Sequence, residues 1–231
     1  MQVGRTISSK SQTLAVFEAL REDILDVRLE PGSRLHVASL VERFGASQGA
    51  VREALSRLVA DGLAIAIDQK GFRVGAVSVE DLRDLTQTRI ELESVALRRS
   101  LEHGDAAWEA RVLASYHELS KATPAAVEQL DGKMVPWGVL HRRFHEALVS
   151  GAPSEWMQRF RGILFDQSER YRKLSVSHPA GPRDVNEEHR RLMQAALDRN
   201  VAQCESLIAE HFQATARIVS RALELRQEDA K

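Results

Sequence analysis

The sequence predicts a mainly α-helical protein in two parts: a head at residues 10–75 that carries one small β-hairpin, and an all-helical body at residues 78–226. Three observations support this. Apolar residues recur every three or four positions along most of the 231 residues, as in amphipathic helices. One short stretch, 65–74, instead alternates at every second residue. Residues that start or stop helices, such as Ser47 and Gly45, separate the segments.

The composition is that of an ordinary globular protein. Hydrophobic residues make up 43% and charged residues 28%, which excludes an intrinsically disordered chain. The 32 basic and 33 acidic side chains give a net charge of −1, so no bulk field marks a nucleic-acid or membrane binder. A single cysteine, Cys204, excludes an internal disulfide, and the sequence shows neither a signal peptide nor an 18-residue apolar run. We therefore expect a cytoplasmic protein with no membrane partner.

The head begins with three predicted helices. The first is stopped by Pro31 and Gly32 and carries an apolar stripe made of Leu14, Phe17, Leu20, Ile24 and Val27. The second is short and ends at Gly45, which tolerates a left-handed exit. Ser47 can cap the third. The alternating stretch then predicts a hairpin with a four-residue loop at Asp68–Gly71.

Two closely spaced helices followed by a hairpin are the pattern of a winged helix-turn-helix, in which the second of the paired helices enters the DNA major groove. Bases are read near the N-terminus of that helix, where Ser47, Gln48 and Gly49 lie with Arg52 one turn on. Further candidates are Arg57 on its surface and Lys70 and Gly71 at the hairpin tip. The alternative is a solvated helix face or a protein-binding module, since residues 1–75 carry only 10 basic against 9 acidic side chains.

Beyond Gly75 the sequence predicts about six helices in an antiparallel bundle and no further strand. Their expected first residues are Ser78, Asp105, Thr123 followed by Pro124, Ser154, Asp184 and Asn200. Glu187 and Gln203 stand three residues after the last two, which is capping-box spacing.

Four of the eight histidines have a spacing that suits a metal site. His141 and His145 are one turn apart on one predicted helix, so both face the same way. His189 and His211 each share a helix with an apolar stripe, and inward-pointing imidazoles from three helices can build a metal centre. The alternative is that these histidines are satisfied by hydrogen bonds in the core or at its rim, or lie on the surface.

Residues 24–35 and 44–63, the latter reading FGASQGAVREALSRLVADGL, resemble the DNA-binding domain of the GntR family of bacterial transcription regulators. The resemblance implies that Arg34, Ser47, Gln48, Gly49, Arg52 and Gly71 contact DNA. This chain has Gln48, Gly49 and Ala50 where the family usually carries arginine, threonine and proline. We expect an unusual base preference, because glutamine reads adenine.

Residues 78–226 resemble the FCD ligand-sensing domain of FadR-type members of that family, through the segments RIELE at 89–93, FHEAL at 144–148 and EHRRLMQA at 188–195. The resemblance implies a divalent metal held by an aspartate and three histidines, which map to His145, His189 and His211. The aspartate position is His141 here, so either His141 replaces it as a ligand or the site is altered or empty. An all-imidazole set suits zinc first, then nickel, iron or copper, and disfavours magnesium and calcium.

A small carboxylate effector is also implied, since the resemblance places Arg89 in the effector site. Arg142 and Arg143 are further candidates, because guanidinium groups bind carboxylates in paired geometry. The expected function is therefore a homodimeric, effector-responsive transcription regulator that acts on double-stranded operator DNA as a repressor. The alternatives are a metal-dependent or purely structural regulator without an organic effector and, less favoured, a metal-dependent enzyme. We expect no enzyme, because the sequence contains no catalytic triad pattern, phosphate loop or nucleotide fingerprint.

Overall fold

The computed structural model describes residues 9–122, 127–130, 133–151, 154–175 and 183–229, and they are mainly helical. The helices in these ranges are α1 Ser9–Leu25, α2 Val37–Phe44, α3 Gln48–Ala60, α4 Val79–His103, α5 Ala106–Ser120, α6 Trp137–Leu148, α7 Glu155–Ser175, α8 Val185–Leu197 and α9 Val201–Asp229. The strands are β1 Arg34–Leu35, β2 Ala64–Ile67, β3 Gly71–Val74, β4 Val127–Leu130 and β5 Lys133–Pro136. None of these helices has the length and apolar content needed to span a membrane.

The described chain forms two compact units. The first contains the residues up to Arg83, together with 163–175 of α7 and 219–229 of α9. The second contains the described residues of 84–162 and 183–218. The domain limits expected from sequence, 10–75 and 78–226, stay a prediction.

The core of the first unit forms mainly where α1 packs on α3. Leu20, Ile24, Leu55, Leu58 and Leu63 are fully buried in this core. The predicted caps are confirmed: Gly45 has a left-handed φ of 58°, and Oγ of Ser47 accepts a hydrogen bond from the Ala50 amide. The predicted end of the first helix is wrong. Val27 lies outside α1 with a φ of 58°, and the Val27 and Leu29 amides donate back to the carbonyls of Ile24 and Asp23. This hydrogen-bonded turn ends the helix before the proline is reached.

The predicted wing is present and contains a third strand. The sheet order is β1-β3-β2, with all neighbours antiparallel. The hairpin loop has three residues, 68–70, rather than the four expected, because Gly71 pairs with Ile67 as part of β3. Gly71 has a φ of 87°, which favours glycine.

The core of the second unit is built from helices α4 to α9. It includes the buried side chains of Leu97, Trp108, Leu140, Phe144, Leu192 and Ile208. Four predicted N-caps in this region are confirmed, since the side chains of Asp105, Ser154, Asp184 and Asn200 accept backbone amides three residues on. Ser78, in the first unit, caps α4 in the same way.

One predicted helix of the body is wrong over part of its length. Its expected start at Thr123 and Pro124 lies outside the described residues, and the segment that follows contains β4 and β5, which pair antiparallel. The helix begins only at Trp137, after Pro136. Proline lacks the amide proton and clashes with the preceding turn, so a helix cannot run through this position unbroken.

Candidate functional site

The four histidines predicted as metal ligands come together in the second unit. His141 and His145 lie on α6, His189 on α8 and His211 on α9, and all four are buried. One ring nitrogen from each lies within 4.8 Å of those from the other three. We call these four residues the histidine cluster.

The apolar face of α6 explains why its two histidines point inward. Leu140, Phe144 and Leu148 bury that face, and His141 and His145 lie along it one helical turn apart. Their Nε2 atoms are 3.1 Å apart. Trp137, one turn before His141, stacks on its ring with centroids 4.5 Å apart and planes 14° apart.

Burial favours the neutral form of His145, His189 and His211. It lowers the pKa of His145 well below the ordinary value, and the neighbouring His211 and His189 lower it further. Burial is also the main cause that lowers the pKa of His189. A neutral imidazole offers a lone pair, which is the form that binds a metal ion.

His189 tests whether a metal fits this arrangement. The residue is fully buried, and neither ring nitrogen has a hydrogen-bond partner among the described residues. An unsatisfied buried polar group costs about 1–3 kcal/mol, so such a group is rarely kept without a role. A cation bound by the cluster would satisfy one nitrogen, and four nitrogen donors suit zinc or a neighbouring transition metal.

A carboxylate and an arginine support His211 from outside the cluster. Oε2 of Glu188 lies 2.7 Å from Nδ1 of His211. Burial favours a raised pKa for Glu188, but hydrogen bonds from Arg183 and His211 outweigh it and lower the pKa to about 2. An ionised carboxylate therefore accepts from the imidazole.

Of the three arginines predicted to bind an effector, the structure places one beside the cluster. Arg89 is buried, its guanidinium carbon lies 3.9 Å from the ring centroid of Phe212, and its charge contributes to the lowered pKa values of His145 and His211. Arg142 instead pairs with Glu146 on α6 and is about a third exposed. Arg143 is half exposed, and its Nη1 lies 3.7 Å from a carboxylate oxygen of Glu118.

The predicted major-groove helix, α3, presents a polar face. Ala50, Val51, Ala54, Leu55 and Leu58 are buried, whereas Ser47, Gln48, Gly49 and Arg52 are exposed. A Cβ atom added to Gly49 would meet nothing within 4 Å, so packing inside the chain does not require glycine there. The open N-terminus of α3 leaves room for a partner to approach the backbone.

The remaining predicted DNA contacts are also exposed. Lys70 and Gly71 lie at the wing tip, and Arg34 lies on β1 directly opposite Arg73 of β3. Arg57 is half exposed and donates to Glu53 of its own helix at 2.6 Å.

Several arginines near the two candidate sites were not predicted from the sequence. Arg73 shares the outer face of the wing with Arg34, and its position in an alternating strand could have revealed this. Arg161 could not have been found from local sequence: it donates twice to buried Glu93, at 2.8 and 3.0 Å, and once to the His145 carbonyl at 3.3 Å. Arg183 could not be found either, because its bonds to the His211 carbonyl and to Thr215 join residues 28 and 32 positions apart.

Comparisons with known proteins agree with this architecture. Residues 12–74 match the bacterial regulatory proteins of the gntR family, and residues 84–214 match the FCD domain. The HTH-type transcriptional regulator BphR of Paraburkholderia xenovorans strain LB400 is 45% identical over 89% of this chain and 84% of its own length. The HTH-type transcriptional repressor GlaR of Escherichia coli K12 is 33% identical over 88% of this chain and 94% of its own.

Solved structures agree on the fold. That of E. coli McbR/YncC has a TM-score of 0.73 at 24% identity and covers 94% of this chain and 99% of its own. A GntR family member from Pseudomonas syringae pv. tomato has a TM-score of 0.57 at 26% identity and covers 97% of this chain and 91% of its own. The family matches and the relatives indicate a DNA-binding transcriptional regulator rather than an enzyme. The chain belongs to the gntR family of bacterial regulatory proteins, among the members that carry an FCD domain.

Proposed function

We propose that this chain is a homodimeric transcriptional repressor whose operator affinity changes when a small organic acid binds beside a divalent transition metal. Residues 10–75 bind the operator, and residues 78–226 hold the metal and effector and form the dimer. The observation that carries the proposal is the histidine cluster, with one nitrogen from each of four buried imidazoles within 4.8 Å of the others.

The chemistry of the cluster supports a transition metal, with zinc as the first candidate. His141, His145, His189 and His211 would hold it. When bound, the ion supplies a positive charge and a Lewis-acidic centre that can take an anionic oxygen. Arg89 supplies a second positive charge beside the same histidines, with paired donors that suit a carboxylate.

The exposed face of α3 supports operator binding. Gln48, Gly49 and Arg52 are placed to reach bases or phosphates from the helix N-terminus, and Arg34, Lys70 and Gly71 add contacts from the wing. The net charge of −1 adds little to operator affinity. Affinity therefore depends on these few contacts, which the dimer makes at each of two half-sites. The repressor assignment is supported by the similarity to GlaR, which is named a transcriptional repressor.

Operator titrations test the proposal. An operator selected from random DNA would be titrated with zinc-loaded protein and with chelated protein, each against a panel of small organic acids. We expect at least one acid to change operator affinity in the zinc-loaded protein and none to do so after chelation. Identical curves across the whole panel would contradict the proposal.

The number of nitrogen donors favours a second function. Four nitrogen ligands complete a tetrahedral zinc site, as in structural zinc sites, and leave no coordination position on the ion for an effector. The metal would then be the signal itself or a staple for the fold. The metal is structural if chelation lowers the melting temperature but operator affinity still responds to the effector.

A further inference from the structure

Arg183 connects the beginning of α8 to the middle of α9. Its Nε and Nη2 atoms donate to the two oxygens of Glu188 at 2.7 and 2.6 Å. Nη2 also lies 3.0 Å from the His211 carbonyl, and Nη1 donates to Thr215 Oγ1 at 3.0 Å. The side chain is only 14% exposed, so these bonds form largely away from water.

The carboxylate held by Arg183 in turn determines which nitrogen of His211 faces the cluster. Oε2 of Glu188 lies 2.7 Å from Nδ1, closer than Nη2 of Arg183 at 3.3 Å, so the carboxylate favours the tautomer with its proton on Nδ1. Nε2 then carries the lone pair and is the atom left for a metal ion. Partners of this kind orient a ligating imidazole and raise its basicity.

The paired bonds from Arg183 fix the Glu188 carboxylate in one orientation. Without them, the carboxylate could rotate away from His211 or turn toward solvent, since Glu188 is itself a quarter exposed. Two parallel bonds to one carboxylate are stronger and more directional than a single contact.

We propose that Arg183 is a positioning residue for the metal site: through Glu188 it fixes the tautomer and orientation in which His211 presents Nε2 to the ion. This role rests on the proposed function, in which the histidine cluster holds a transition metal. Arg183 acts through Glu188 and His211 and is not itself one of the proposed ligands.

A purely structural role for Arg183, as a tie between α8 and α9, is the competing explanation. Arg199 provides a matched control, because it also bonds a carboxylate, Glu109, and two carbonyl oxygens, those of Leu101 and Gly104. Arg199→Ala should therefore lower the melting temperature without changing metal affinity.

The experiment measures zinc affinity by competition with a chromophoric chelator, and the absorption spectrum of the cobalt-loaded protein, for the wild type, Arg183→Ala, Arg183→Lys and Arg199→Ala. We expect Arg183→Ala to weaken zinc binding about 10- to 100-fold and to change the cobalt spectrum. Arg183→Lys keeps the charge but not the paired donors, so it should weaken binding similarly. Wild-type affinity in Arg183→Ala, full rescue by lysine or an equal loss in Arg199→Ala would overturn the positioning role.

A measurement on the metal-free protein separates this inference from the proposed function. Long-range proton–nitrogen NMR spectra report the tautomer of each histidine. We expect Nδ1–H for His211 in the wild type and a changed population in Arg183→Ala. If His211 of the wild type is protonated on Nε2, the inference about Arg183 is overturned and the proposed function is not. If His211 is protonated on Nδ1 but the wild type binds no zinc, the proposed function is overturned, and with it the role of Arg183 toward the metal.

Discussion

The indole of Trp137 lies parallel to the imidazole of His141, with ring centroids 4.5 Å apart. Trp137 is therefore an internal reporter of metal binding, because a paramagnetic ion bound by His141 would lie close enough to quench its fluorescence. Copper or nickel titration should quench the wild type and quench Trp137→Phe much less. Trp156→Phe is the control, since Trp156 is 66% exposed on α7. Equal quenching in Trp137→Phe and Trp156→Phe would contradict this placement of the metal.

Gln48 and Arg34 should affect operator binding in different ways. Gln48→Ala should cost about 1–3 kcal/mol at one base pair of each operator half-site and relax specificity there, because glutamine reads a base edge. Arg34→Ala should weaken binding to all sequences alike and reduce the slope of log affinity against log salt by about 1.8, because it removes one phosphate contact at each of the two half-sites that the proposed dimer reads. Affinity selections at two salt concentrations check both, and a sequence-dependent loss in Arg34→Ala would count against its assignment.

Arg89 should control the response to the effector and not the metal. Arg89→Lys keeps the positive charge but loses the paired donors, so the acid concentration that changes operator affinity should rise about tenfold or more. Zinc content should stay unchanged. Arg98→Lys is the control, since Arg98 is exposed and pairs with Glu205. An unaltered acid response in Arg89→Lys would exclude Arg89 from the effector site.

Asp23 should contribute a pH-dependent part of the stability of the first unit. Burial favours a raised pKa, but Arg28 and Arg43, each 2.6 Å away, outweigh it and lower the pKa of Asp23 below 3.8. A lowered folded-state pKa stabilises the protein fully above the unfolded-state value and less as the pH falls through the folded-state value.

Asp23→Asn should therefore lower the free energy of unfolding by about 1–3 kcal/mol at pH 7. Urea unfolding from pH 7 down to pH 3 checks this. The difference from the wild type should be constant down to about pH 4.5 and should shrink below about pH 3.8. A difference that grows on acidification would contradict the sign of the shift.

Local features of the fold could be predicted from the sequence, and features that depend on distant residues could not. Ser47 bonds an amide three residues away, and His141 and His145 share a face because of helical period alone. The left-handed φ of Val27 could not be predicted, because a β-branched residue disfavours that conformation.

The candidate site shows the same limit. The histidines were predicted as a set, but their convergence depends on how α8 and α9 pack against α6. The bonds from Arg183 to Thr215 and from Arg161 to Glu93 join residues 32 and 68 positions apart. No periodicity in the sequence encodes such pairs, so only the folded structure identifies the residues that support the ligands.

X-ray absorption at the zinc edge of the zinc-loaded protein tests whether the histidine cluster binds the metal. We expect one zinc per chain, with a nitrogen shell at about 2.0–2.1 Å, the outer-shell scattering of several imidazoles and no sulfur. His189→Ala should lose this zinc, and His117→Ala, which changes an exposed histidine of α5, should retain it. A wild type that binds no zinc, a shell that contains sulfur or a site unchanged in His189→Ala would show that the histidine cluster is not the metal site.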